Sequence, residues 1–112
     1  MGGSEGQYTV KRRVTIAEVP DLRVRQFELS SGQEVPWHYH SEITDTFFCM
    51  TGPMQVETRE ATHCLEPGET LAVEPGTPHR VTPVGPNGCR FMIVQGVGQY
   101  DFVPVECPTR RE

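Results

Sequence analysis

Nowhere in these 112 residues does an apolar run approach the length of about 18 needed to cross a bilayer. No apolar core of an export leader follows the start either. The chain is therefore expected in the cytoplasm, with no membrane partner. Cations are scarce: 10 Lys and Arg stand against 15 Asp and Glu, for a net charge of −5. A nucleic-acid or anionic-membrane surface needs a basic face, so neither partner is expected. Lys11 is the single lysine, and the remaining cations are arginines. The four cysteines, at 49, 64, 89 and 107, form no C-x-x-C pair and are expected as free thiols. Sustained i, i+3, i+4, i+7 apolar spacing is missing, which excludes a helical fold. No internal repeat, low-complexity stretch or linker divides the chain, so a single domain is expected. The opening Met-Gly lacks the Ser or Thr at position 6 that a myristoylation signal needs.

What the chain has in quantity is punctuation, with 11 glycines and 10 prolines. Such a density of turns fits many short strands and an all-β fold. Residues 1–7 read as a flexible polar tail, 8–107 as the folded domain and 108–112 as a second tail. Strands are expected at 8–14, 22–29, 34–40, 45–50, 54–59, 61–65, 69–74, 89–95 and 99–105. Lys11, Arg12 and Arg13 mark the first as an edge strand, because charges blunt edge pairing. In 22–29, Leu22 and Val24 alternate out of phase with Phe27 and Leu29, so a bulge near Arg25–Gln26 is expected to turn all four inward. The nearly continuous apolar run 89–95 predicts a strand buried on both faces.

Two stretches carry chemistry. The first runs from Gly32 through His38, His40 and Asp45 to Gly52. On a strand, residues i and i+2 share a face, roughly 6.6 Å apart at Cα. Two imidazoles so placed can converge on one metal ion at about 2.0–2.1 Å. Asp45 returns after a short turn with a hard oxygen ligand. The second stretch runs from Gly68 through Gly76 to His79. Pro75 and Pro78 flank Gly76 and stiffen the turn that presents His79. Phe47 and Cys49 share the face of Asp45 and are candidate substrate contacts, with core packing as the plainer reading of each. His63 lies outside both stretches and reads as a solvent-side residue.

In these residues the chain resembles the cupins. Their first motif is Gly, five residues, His-x-His, three or four residues, Glu, six residues, Gly. Here Gly32, His38, His40 and Gly52 match it, with Asp45 in place of the glutamate. The second motif is Gly, five residues, Pro-x-Gly, two residues, His, three residues, Asn. Gly68, Gly76 and His79 match it, while Glu74 and Pro83 stand at the proline and asparagine positions. The resemblance covers just under half the chain. It implies a single double-stranded β-helix (jelly-roll) barrel with one divalent transition metal in its lumen, held by His38, His40, Asp45 and His79. Aspartate is shorter than glutamate by one C–C bond, about 1.5 Å. Direct ligation, ligation through water and a three-histidine site therefore all stay open, with Glu42 as a fallback carboxylate. The resemblance also implies that the N-terminal strand adds to a partner's sheet, giving a homodimer.

Three imidazoles and a carboxylate suit Fe(II), Mn(II), Ni(II), Zn(II) or Cu(II). Open positions on such an ion would take a small oxygenated ligand or substrate. Oxygenase-type chemistry is the first expectation, because the lumen offers no evident second general base. A metal-dependent isomerase, cyclase or lyase of a sugar acid or keto acid is the alternative, with Arg23, Arg25 or Arg90 holding a carboxylate if one faces inward. A non-catalytic sensory module is the third reading.

Overall fold

Period-two alternation organises the folded chain, as expected where strands bury one face and wet the other. The computed structural model describes residues 8–107 and places ten strands, with no helix among the described residues. The expected tails, 1–7 and 108–112, lie outside the described residues. The strands are β1 (Arg12–Val19), β2 (Leu22–Leu29), β3 (Val35–Tyr39), β4 (Thr44–Thr51) and β5 (Met54–Thr58). There follow β6 (Thr62–Leu65), β7 (Thr70–Val73), β8 (His79–Pro83), β9 (Cys89–Gly96) and β10 (Val103–Pro104).

They form two antiparallel five-stranded sheets, ordered β1-β2-β9-β4-β7 and β10-β3-β8-β5-β6. The architecture is an all-β jelly-roll barrel. The first sheet sends Phe27, Leu29, Phe47, Phe91 and Ile93 inward, and the second sends Val35, Met54, Val56 and Val81. Phe91 stacks on Phe27 at 5.5 Å between centroids and meets Phe47 at 5.6 Å. Each such side chain contributes about 1.5–3 kcal/mol by leaving water.

Four strand readings need correction. β2 pairs β9 in unbroken register from Leu22 to Leu29, so no bulge lies at Arg25–Gln26. The irregularity is in β1, between Thr15 and Ala17. Arg25, Phe27 and Leu29 point inward, and Leu22 and Val24 take the outer face. The phase was misread because an arginine was assumed to face solvent. β9 likewise alternates, burying Cys89, Phe91, Ile93 and Gln95 while the residues between them are half-buried. Only Val103 and Pro104 of the expected closing strand pair, with Tyr39 and His38. β1 runs over Arg12–Val19 rather than the expected 8–14, and it stands at the sheet edge with Ile16 51% and Val19 53% exposed.

Candidate metal centre

β3 and β8 are neighbours in one sheet, and their register sets His38 directly opposite His79. His40 follows the last residue of β3 and shares the inward face of His38. Asp45 enters from β4 in the other sheet, where Gln95 of β9 lies opposite it. The two motif stretches are tied by a hydrogen bond from the Gly76 N–H to the His40 carbonyl, 2.7 Å. Gly76 makes that turn at φ 79°, which a Cβ would strain. At Gly52 a Cβ would sit 2.9 Å from the Met54 nitrogen, so that motif glycine is a matter of space.

His38, His40, Asp45 and His79 are all buried, and one ligand atom from each lies within 4.8 Å of the others. Asp45 Oδ2 is 2.8 Å from His40 Nε2, 2.8 Å from His79 Nε2 and 4.0 Å from His38 Nε2. The other nitrogen of each ring faces a backbone carbonyl. His38 Nδ1 donates to Pro36 at 2.7 Å, His79 Nδ1 to Thr77 at 2.9 Å and His40 Nδ1 to Asp101. A carbonyl only accepts, so every Nδ1 carries a proton and every neutral ring aims a lone pair at the centre. A carboxylate oxygen 2.8 Å from two such lone pairs is unfavourable unless a proton or a cation lies among them. The donor set and its outer hydrogen bonds therefore fit a divalent ion.

The titration behaviour agrees. Burial, then the charge of His79, brings His38 down to about 3, so it is neutral at physiological pH. Burial works to lower His40 as well, but the hydrogen bond and charge of Asp45 and the contact with Asp101 outweigh it, and the net shift is upward. For Asp45, burial works upward, and hydrogen bonds from His40 and His79 hold the carboxyl well below the usual range. The cluster thus keeps an anion and concentrates what positive charge it can around it.

A small cavity of about 20 Å³, partly open to solvent, adjoins the cluster. Phe47 lines it, together with Arg25, Gln95 and Tyr100. Cys49 does not. It lies four residues along β4 from Asp45, roughly 13 Å at strand rise, and its thiol donates to the Leu65 carbonyl at 3.4 Å. Arg25 is the inward-facing arginine of the three considered. Arg23 instead packs over the Tyr100 ring at 4.1 Å, and Arg90 lines a separate polar groove. Glu42 is exposed and meets the Gln99 amide.

Other residues at the site carried little signal in sequence. Gln95 donates to Asp45 Oδ1 at 3.1 Å and accepts from Arg25. Strict alternation from Phe91 and Ile93 would have found it. Phe102 stacks on His38 at 4.3 Å, with Tyr8 stacked beyond it at 5.7 Å. Asp101 also accepts from the Ser41 N–H at 2.7 Å. The Tyr100-x-Phe102 pair that brackets Asp101 was the only hint that this segment covers the site.

A small jelly-roll barrel with a buried three-histidine, one-carboxylate cluster defines a candidate metal-binding barrel. The family model of the cupin domain, Cupin_2, matches residues 25–95, and the chain belongs to that family. Comparison with curated proteins finds no match. Among solved structures, a conserved protein with a double-stranded β-helix domain from Klebsiella pneumoniae is 24% identical, with a TM-score of 0.77 over 93% of this chain and 96% of its own. The polyketide cyclase RemF from Streptomyces resistomycificus is 22% identical, with a TM-score of 0.71 over 86% of this chain and 71% of its own. KdgF from Halomonas sp. is 18% identical, with a TM-score of 0.70 over 82% and 88%. At such identities the likeness is one of fold.

Proposed function

We propose that this chain is a metal-dependent enzyme acting on a small oxygenated metabolite by proton-transfer chemistry, as an isomerase, cyclase or lyase. The observation that carries the reading is the convergence of His38, His40, Asp45 and His79 within 4.8 Å beside a small cavity. These four residues would hold the ion, and the borderline metals Fe, Mn, Ni, Zn and Cu all suit them. A bound ion supplies Lewis acidity toward a carbonyl or hydroxyl oxygen. The chain itself supplies the rest. Phe47, Phe91 and Ile93 keep water from one wall of the cavity. The Tyr100 hydroxyl, hydrogen-bonded to Arg25 at 3.3 Å, is placed to give or take a proton there. Phe47 is the proposed apolar substrate contact.

Oxygenase chemistry was expected from a lumen poor in acid-base groups; the Tyr100 hydroxyl at the cavity supports proton transfer ahead of it. It stays as a second reading, favoured by the apolar wall. That one fold neighbour is named a polyketide cyclase lends support to the first.

Metal analysis of the purified chain, followed by assays of small hydroxy and oxo acids with and without O₂, tests the proposal. One ion per chain and turnover indifferent to O₂ are expected. Turnover that needs O₂ would select the oxygenase, binding without turnover a sensory module, and failure to take up metal would end the reading. Cys49, Cys64 and Cys89 are free thiols, which supports a reducing cytoplasm as the compartment. No helix among the described residues is long and apolar enough to cross a membrane. The homodimer is likewise proposed, through β1, whose edge position and exposed Ile16 and Val19 support pairing with a second copy.

A further inference from the structure

We infer that the polar groove at the far end of the barrel from the histidine cluster is a second ligand site, built for the phosphate monoester of a small polyol. The inference is independent of the metal reading. The groove measures about 390 Å³, within the roughly 300–1,000 Å³ of small-molecule sites. Along β9 its Arg90 stands five residues from Gln95 of the cavity at the cluster, roughly 17 Å at strand rise. The two sites share strands but no lining residue.

Charge sets the ligand class. Arg12, Glu28 and Arg90 stand in one row across β1, β2 and β9, and Lys11 adjoins them. In a chain of net charge −5 this corner is locally cationic. Lys11 and Arg90 both line the groove. The Glu28 carboxylate lies 4.0 Å from the Lys11 ammonium, beyond hydrogen-bond reach. Glu28 also stands opposite Arg90 in the β2–β9 ladder, yet the two form no ion pair among the described residues. Arg90 Nε is buried with no hydrogen-bond partner. An oxyanion between Arg90 and Lys11 supplies the acceptor that the fold leaves out.

The neutral groups choose among oxyanions. Ser30 and Ser31 come from the turn after β2, and Asn87 from the loop before β9. Donors thus converge from separate segments of the chain. That arrangement suits a tetrahedral group with three acceptor oxygens better than a planar carboxylate, which one guanidinium fork satisfies. Glu28 cannot donate, so beside a phosphate it accepts from a hydroxyl of the ligand. This favours a polyol ester over the bare anion. No aromatic ring lines the groove, so a nucleobase finds nothing to stack on. The walls are held in place: the loop carrying Asn87 passes so close to β2 at Gly88 that a Cβ there would strike the Leu29 carbonyl.

The test is titration of the chelator-treated full chain with glycerol 3-phosphate, inorganic phosphate and glycerol. The ¹⁵N signals of the Arg90 Nε–H and the Asn87 backbone amide are followed throughout, and chelation keeps metal out of the measurement. Glycerol 3-phosphate is expected to move both signals and to bind about tenfold or more tighter than glycerol, as charge-assisted hydrogen bonds exceed neutral ones. It should also bind tighter than inorganic phosphate, through the hydroxyls that Glu28 accepts. Lys11→Gln changes a side chain that is 64% exposed, so the fold is not at stake, and it should weaken glycerol 3-phosphate about tenfold. Arg90→Gln should weaken it at least as much, with Arg90→Lys between that variant and the parent. Equal binding of inorganic phosphate and glycerol 3-phosphate overturns the ester in favour of the bare anion. Silent Arg90 and Asn87 signals, or an affinity unchanged in Lys11→Gln, overturn the site itself. Neither result touches the metal reading, which the chelated sample does not test.

Discussion

Asp45→Asn separates a metal centre from a structural knot of ion pairs, because the two respond in opposite ways. Asparagine keeps the shape of the side chain. Its Oδ1 can still accept from Gln95, now at 3.1 Å, and its amide can donate to a ring nitrogen at 2.8 Å. In the metal-free protein the change swaps a carboxylate facing two lone pairs for a donor facing one. That gains a hydrogen bond of about 0.5–1.5 kcal/mol, against which stands the charge Asp45 lends to His40. The metal-free variant should therefore stay within about 1 kcal/mol of the parent. At about 4–8 °C per kcal/mol for a domain near this size, its melting temperature should differ by no more than about 8 °C. Metal binding should suffer heavily. Loss of a partner one shell out already costs about 10–100-fold in affinity, so loss of the carboxylate itself should exceed 100-fold. Were the cluster a structural ion-pair network, removing its only anion would cost about 3–5 kcal/mol. Calorimetric melting of both chelator-treated proteins at pH 8, with zinc affinity by competition titration, measures both quantities. A metal-free Asp45→Asn protein that has lost about 3 kcal/mol or more, with zinc affinity changed less than tenfold, would refute the reasoning.

His38→Ala and His79→Ala should each lose most bound metal by elemental analysis, while His63→Ala on β6 keeps it. His38 binds its proton near 6.5 when unfolded but only at about 3 when folded. Its contribution to stability is therefore complete above pH 6.5 and is lost as pH falls toward 3; urea midpoints of the metal-free protein should fall more steeply over that window than those of His38→Gln. Burial, then the neighbouring Cys49, pushes the Cys89 thiol up to about 12, and burial also raises Cys49. At pH 8 a thiol of that pKa is ionised about once in ten thousand molecules, so a thiol reagent should titrate the exposed Cys64 and Cys107 quickly and the other two only on unfolding. Ile16→Glu on β1 should shift sedimentation toward the monomer without lowering metal content; an unchanged sedimentation coefficient would remove β1 from the interface.

The clustering of three imidazoles and a carboxylate was legible because its spacing is dictated by local geometry. His38 and His40 are two apart on a strand, Asp45 follows a short turn, and His79 follows a turn that Pro75, Gly76 and Pro78 stiffen. Arg25 and Gln95 were harder to read for one common reason. Both are polar residues on the inward phase of a strand, and sequence patterning assigns polar residues to the outer face. In β2 this shifted the apparent phase and produced a bulge that the register does not contain. In β9 it hid an alternation that Phe91 and Ile93 define. The segment 99–105 was read as a full strand because its aromatics look like strand residues. Most of it instead spends its side chains and carbonyls on the imidazoles, and only two residues join the sheet.

The peptide oxygen of Asp101 governs the tilt of the His40 ring from 61 positions away. The centre therefore answers to a stretch of backbone that donates no ligand to it. Exchanging residues 98–105 for the matching loop of another small barrel would leave every coordinating atom in place and still alter the basicity of one of them. Reactivity could then be tuned by grafting a cassette, with no mutation in the coordination sphere.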